Sequence, residues 1–173
     1  MFNIMTKLQD ILSKYKDCLF YDQLREERVI SGNTIELANI GTDFARNQMY
    51  SEAVECWEYI LNGDFSIDSS VYCNLGVCYF YGNGVTINLE KAVHYYQKAA
   101  AKGHPFGQYN FAVALEQGKG IEQNILKAIE FYQKAAEQRV NQAIDALVRL
   151  GVYNELGLAF YNRNFEDDSF SGK

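Results

Sequence analysis

The sequence predicts an all-α fold, an α/α superhelix (solenoid) of stacked antiparallel helix pairs. The main observation is an internal repeat, because residues 69–104 align with residues 105–140 without a gap and with twelve identities in 36 positions. The second is the helical spacing of apolar side chains within each unit, which is typical of helices packed on one face. The third is a pair of glycines, one residue apart, in the middle of each unit, where a turn between two helices is expected.

The residues around the glycine pair predict how the helices of one unit end and begin. Gly82 suits the left-handed conformation that closes a helix, and Asn88 suits the N-cap of the next helix. Ala92 and Ala99 leave room for a neighbouring backbone, so the two helices are expected to lie close together. A phosphate-binding loop is not favoured at Gly82 and Gly84, because a helix rather than a β-strand is expected before it.

An earlier segment, residues 34–67, has the same design with a shorter loop. Trp57 there takes the place of Tyr96 and Tyr132, so it is predicted to be a core residue. The predicted organisation of this single domain is, in order, N-terminal capping helices (1–32), a first repeat (34–67), two closely related repeats (69–104 and 105–140), C-terminal capping helices (141–165) and a flexible tail (166–173).

The stretch "NLGVCYFYGNGVTINLEKAVHYYQKAAAKGH" resembles the Sel-one-like repeat (SLR). That α/α repeat has a Leu-Gly pair, a tyrosine, a Gly-x-Gly-Val turn and a Tyr-x-Lys-Ala-Ala ending. Residues 105–140 match the pattern more loosely, and residues 34–67 are similar to the tetratricopeptide repeat (TPR). The resemblance covers residues 34–140. It implies a TPR/SLR-like superhelix that binds other proteins as an adaptor or scaffold.

Two features of related repeat proteins are missing at the matching positions. Tetratricopeptide domains that grip a C-terminal carboxylate place Lys and Asn where the first repeat here has Ala38 and Thr42, and the next two repeats lack them as well. A cysteine-rich secreted branch of the SLR proteins joins the two helices of a repeat by a disulfide. Here Cys73 matches the first cysteine but Ala100 stands at the second site, so neither feature is expected.

Charge and composition limit the classes of partner. The net charge is −6, and residues 33–68 alone carry seven acidic residues against one arginine, which disfavours nucleic acid and favours a basic protein or peptide. No apolar run approaches the ~18 residues of a membrane span, and the N-terminus does not resemble a secretory signal. The four cysteines lack the spacing of a metal site and are expected to be buried thiols in a cytoplasmic protein.

No group of residues predicts catalysis, a metal site or a cofactor. Of the two histidines, His94 is expected to pack at a seam between helices and His104 to belong to the turn between repeats. No nucleophile and base can be recognised together, so the chain is not expected to be an enzyme.

The leading hypothesis is therefore a non-catalytic protein–protein interaction module. The first helix of each pair lines the concave face of such a superhelix, where aromatic side chains favour a peptide or helix. We expect alanine at both Tyr81 and Tyr109 to weaken partner binding with little change in the melting temperature. The predicted partner-binding residues of this face are Thr42, Arg46, Cys73, Val77, Phe80, Tyr81, Tyr109, Val113, Glu116 and Gln117.

An alternative hypothesis is a cytoplasmic immunity or antitoxin protein that neutralises a basic toxin. It depends on the acidic first repeat, whose carboxylates would steer a cationic partner. The predicted residues of this acidic patch are Glu36, Asp43, Glu52, Glu55 and Glu58. The sequence predicts no oligomeric state for either role.

Overall fold

The computed structural model describes residues 2–19, 21–63 and 65–153, and this part of the chain contains nine α-helices and no β-strand. The predicted all-α fold is confirmed. From α2 onwards successive helices pack against each other, most extensively within the pairs α3–α4, α5–α6 and α7–α8. The helices are α1 Phe2–Lys16, α2 Gln23–Ile30, α3 Thr34–Arg46, α4 Tyr50–Leu61, α5 Ser69–Tyr81, α6 Leu89–Ala101, α7 Pro105–Gln117, α8 Ile125–Glu137 and α9 Asn141–Arg149.

Side-chain caps and left-handed glycines set the helix ends in both related repeats. Asn88 and Asn124 each accept a hydrogen bond at 2.9 Å from the backbone N–H three residues further on. Gly82 and Gly118 close α5 and α7 in the left-handed region, with φ of 77° and 66°. His104 caps α7, since its Nδ1 accepts a hydrogen bond from a backbone N–H at 3.0 Å. The structural role predicted for His104 is confirmed.

The second glycine of each pair has a role beyond the turn itself. Gly84 has φ of 71°, and a Cβ placed on it would lie 2.5 Å from the backbone of Tyr50 and Ser51, at the start of α4. Gly120, also at φ of 71°, lies in the same way against the backbone of Leu89, at the start of α6. Each Gly-x-Gly turn therefore rests on the second helix of the preceding repeat, where only a residue without a side chain leaves enough space.

The core runs through the whole stack, from Ile11 in α1 to Leu147 in α9. Trp57 is 2% exposed and its indole N–H donates to the Ala38 carbonyl oxygen at 3.3 Å, which confirms it as a core residue. The glycine of the Leu-Gly pair, Gly76, lies directly beneath a ring of the partner helix, because a Cβ there would be 2.5 Å from Tyr96. A large aromatic residue over a glycine thus sets how close the paired helices approach.

Two predictions about single residues need correction. His94 is exposed on α6, with its ring 5.9 Å from that of Tyr95, so its predicted place at a helix seam is wrong. All four cysteines are free, and three are buried as predicted, but Cys18 is only half-buried. Burial raises the pKa of Cys73 and Cys78 to about 11, so both are protonated thiols at neutral pH.

The structure describes more of the N-terminal end of the stack than of the C-terminal end. At the N-terminus, α1 packs against α4 and α2 against α3. At the other end α9 packs against α8, while the remainder of the predicted C-terminal capping helices, from residue 154, and the predicted tail lie outside the described residues. None of the described helices combines the length and apolar character needed to cross a bilayer.

Candidate interaction surface

The first helices of the successive pairs share one face of the stack. Helix α5 packs against α7 as well as against its own partner α6, and open grooves lie between α3 and α5 and between α7 and α9. All ten residues predicted for the concave face belong to α3, α5 or α7. We call the face formed by α3, α5, α7 and α9 the inner face.

Aromatic side chains dominate the middle of the inner face. Tyr81 is 65% exposed, and the edge of its ring meets Phe80 at a centroid distance of 5.0 Å. Tyr109 is half-buried and lies 5.8 Å from Tyr132, a core residue of α8. Phe80 is half-buried and packs 6.2 Å from Tyr96. Tyr81 is therefore the aromatic residue of this group with the most surface available to a partner.

A groove of about 380 Å³ lies between α7 and α9, and the rings of Tyr109 and Tyr132 line it. The structure brings four of the predicted residues together there, namely Tyr109, Val113, Glu116 and Gln117. The other residues that line the groove were not predicted, and they are Tyr132, Gln142, Asp145, Ala146 and Arg149.

A continuation of the repeat period would have found the α9 residues. Asp145 lies 36 positions after Tyr109, and Arg149 lies 36 positions after Val113. Because the period of the two related repeats is also 36 residues, these side chains occupy the same inner-face positions one unit later.

An ion pair bridges the two sides of the groove. Arg149 donates two hydrogen bonds to the carboxylate of Glu116, at 2.6 Å to Oε1 and 2.9 Å to Oε2. The hydroxyl of Tyr132 donates a third, at 2.7 Å. The Glu116 side chain is 13% exposed and that of Arg149 60%. The Arg149 guanidinium holds the pKa of Glu116 below its usual value, so the carboxylate stays ionised to a lower pH than a free one.

Replacing Glu116 with glutamine is expected to reduce the free energy of unfolding by about 1–2 kcal/mol at pH 7, because it removes charge-assisted hydrogen bonds. The folded-state pKa of Glu116 is lowered, so its stabilisation is present above the unfolded pKa of about 4.3 and is lost as the pH falls through the folded pKa. Urea unfolding at pH 7 and pH 3 should therefore show a gap between wild type and E116Q that narrows at pH 3. A gap of the same size at both pH values would contradict this assignment.

The matched control for this measurement is Glu130→Gln. Glu130 is exposed on α8 and forms no ion pair among the described residues. This variant makes the same chemical change outside the groove, so its stability should follow that of the wild type at both pH values.

Not every predicted inner-face residue is available to a partner. Cys73 is 4% exposed, and its sulfur lies 3.9 Å from the Asn110 amide nitrogen, so its prediction as a contact residue was wrong. Thr42 is half-buried and donates to the Ala38 carbonyl oxygen at 3.0 Å. Arg46 is largely exposed, although it forms an ion pair at 3.3 Å with Asp43. Partner binding at Thr42 and Arg46 stays a prediction.

The predicted acidic patch is largely neutralised within the chain at α3. Glu36 pairs with both Arg25 and Arg28, at 3.3 and 2.9 Å. Arg25, a residue of α2, also pairs with Asp43 of α3. These carboxylates therefore hold the N-terminal cap against the first repeat.

The acids of α4 point towards different neighbours. Glu55 pairs with Lys14 of α1 at 2.6 Å, and Glu58 accepts a hydrogen bond from the Tyr79 hydroxyl at 2.6 Å. Glu52 has no ion pair among the described residues. Binding of a basic partner at this patch stays a prediction, but the charge left for it is much smaller than the acid count indicates.

Comparisons with known proteins agree with this architecture. A family model for the Sel1 repeat matches residues 69–104 and residues 105–140, the same bounds that the internal alignment gives. No curated protein sequence matches the chain.

Three solved structures are similar in fold. A Sel1 repeat protein from Oxalobacter formigenes has 30% identity over 67% of this chain and 45% of its own, with a TM-score of 0.61. The protein c5321, a protective antigen of uropathogenic Escherichia coli with an SLR fold, has 23% identity over 85% of this chain and 33% of its own, with a TM-score of 0.64. Cysteine-rich protein B of Helicobacter pylori has 18% identity over 72% of this chain and 98% of its own, with a TM-score of 0.50.

The chain thus spans less than half the length of the first two of these structures. This chain contains two Sel1 repeats, within an all-α superhelix of the kind that generally serves as a protein-interaction module.

Proposed function

We propose that this protein is a non-catalytic interaction module that binds an extended peptide or a helix of a partner protein along its inner face. The observation that carries the proposal is an open groove of about 380 Å³ lined by Tyr109, on the same inner face as the exposed Tyr81 ring. A rigid, exposed aromatic residue next to a groove is the usual anchor of a protein interface, since its immobilisation costs little entropy.

The chemistry of the groove supports binding rather than catalysis. Glu116 and Arg149 are tied to each other, and no histidine, cysteine or serine lines the groove. The two histidines lie elsewhere, His94 exposed on α6 and His104 at the cap of α7. Within the described residues, a nucleophile and a base do not meet at this surface.

The alternative role, neutralisation of a basic toxin through the first repeat, has less support. Of its five carboxylates, those of Glu36, Asp43, Glu55 and Glu58 have cationic partners within the chain. A toxin would have to compete with these pairs, so electrostatic steering would depend mainly on Glu52. We therefore rank this role second, and a cytoplasmic location remains part of both proposals.

The test uses a random peptide library displayed on phage and selected on the immobilised full-length protein. Replacing both Tyr81 and Gln117 with alanine should weaken binding of the selected peptides about tenfold or more, because it removes exposed inner-face side chains. Fluorescence polarisation with the synthetic peptides measures the dissociation constants. Thermal unfolding of the variant should stay close to that of the wild type, since neither residue is buried.

The matched control is Leu126→Ala, which removes an apolar side chain that is 78% exposed on α8. Its binding should equal that of the wild type, because α8 is the second helix of its pair and Leu126 does not line the groove. The proposed function fails if the library yields no peptide that binds, or if L126A weakens binding as much as the inner-face variant does.

A further inference from the structure

The groove between α7 and α9 is lined by two acidic residues and one basic residue. Glu116 and Arg149 neutralise each other through two hydrogen bonds, and Tyr132 donates a third to the same carboxylate. The Glu116 carboxylate is thus well supplied with donors. The remaining charged residue that lines the groove is Asp145.

Asp145 lines the groove and is available to a partner. It is exposed, and it has no ion-pair partner among the described residues. Although Arg149 follows one turn later on α9, its guanidinium is directed at Glu116. Lys119, in the turn that follows α7, lies over the Phe80 ring at 5.7 Å and does not line the groove.

A tyrosine ring lines the same groove as this carboxylate. Tyr109 is half-buried and lines the groove together with Asp145. A carboxylate beside the faces of aromatic rings is a favourable environment for a cationic side chain. In this chain Lys91 already lies over the Tyr79 ring at 3.9 Å, next to Glu58, in the same combination of groups.

We propose that this groove binds a lysine or arginine side chain of the partner peptide, with Asp145 as the counter-ion and Tyr109 as the aromatic wall. This inference rests on the proposed function and specifies the partner's chemistry. An acidic side chain would meet the charge of Asp145, while the guanidinium that could receive it is already bound to Glu116. The site differs from the acidic patch of the first repeat, whose carboxylates have partners.

A double-mutant cycle tests the inference. Peptides selected on the wild-type protein should be enriched in lysine or arginine. In one such peptide, a basic residue is replaced by norleucine, which keeps the aliphatic stem and removes the charge. We expect the wild-type protein to bind the norleucine peptide about three- to tenfold more weakly than the original. The D145N variant should bind the two peptides with nearly equal affinity.

The control is E130Q, which removes one negative charge from an exposed position outside the groove. It should keep the wild-type preference for the basic peptide. Selected peptides without basic residues, or a D145N variant that keeps the full preference, would overturn the inference while leaving the proposed function intact. Failure to select any binding peptide would overturn the proposed function and this inference with it.

Discussion

Replacing Gly84 with alanine is expected to lower the free energy of unfolding by about 2–5 kcal/mol. A residue with a Cβ at φ of 71° costs about 1–2 kcal/mol in backbone strain. In addition, the new Cβ would lie 2.5 Å from the backbone of Tyr50 and Ser51, at the start of α4. Backbone cannot move aside as a flexible side chain does, so the overlap is relieved only if the first two repeats move apart. This movement adds about 1–3 kcal/mol to the loss in the free energy of unfolding. Urea unfolding at equilibrium measures the loss.

The chain offers a matched control in Gly103→Ala. Gly103 has φ of 81°, but a Cβ on it would have nothing within 4 Å. G103A should therefore cost only the backbone strain, about 1–2 kcal/mol. The difference between the two variants then measures the close approach between repeats. If both variants lost the same free energy, the second glycine of the pair would matter for its conformation alone.

The repeat units could be predicted from sequence because their signals are local and occur twice. A period of 36 residues, the Asn88 and Asn124 caps and the left-handed Gly82 and Gly118 agree with one another in both copies. The contact between Gly84 and the start of α4 could not be found in this way, since it joins residues more than 30 positions apart.

The accessibility of side chains and the charge left free on them were harder to predict than their positions. Periodicity places Cys73 on the inner helix, but its short side chain ends beneath Asn110 of the next repeat, so it is buried. Likewise, the count of acids in the first repeat could not reveal that Lys14, 41 positions before Glu55, neutralises one of them. Pairings over such distances depend on how the capping helices pack, which the repeat pattern does not specify.

Replacing Tyr132 with alanine is expected to lower the free energy of unfolding by about 3–5 kcal/mol and to abolish peptide binding at the groove. Tyr132 is 1% exposed, so loss of its ring leaves a cavity in the core of α7 and α8. The same ring lies 5.8 Å from Tyr109 and forms part of the groove lining. Stability and binding should fall together, whereas substitutions at the exposed Tyr81 should affect binding alone. Urea unfolding and fluorescence polarisation on the same samples separate these outcomes.

The Tyr132→Phe variant divides this effect between ring and hydroxyl. It keeps the ring and removes only the hydrogen bond to Glu116, whose carboxylate still accepts two from Arg149. We therefore expect a loss of about 1–2 kcal/mol and nearly unchanged peptide binding. If Y132F instead lost binding as completely as Y132A, the orientation of Glu116 and Arg149, rather than the packing of the ring against Tyr109, would be what shapes the groove.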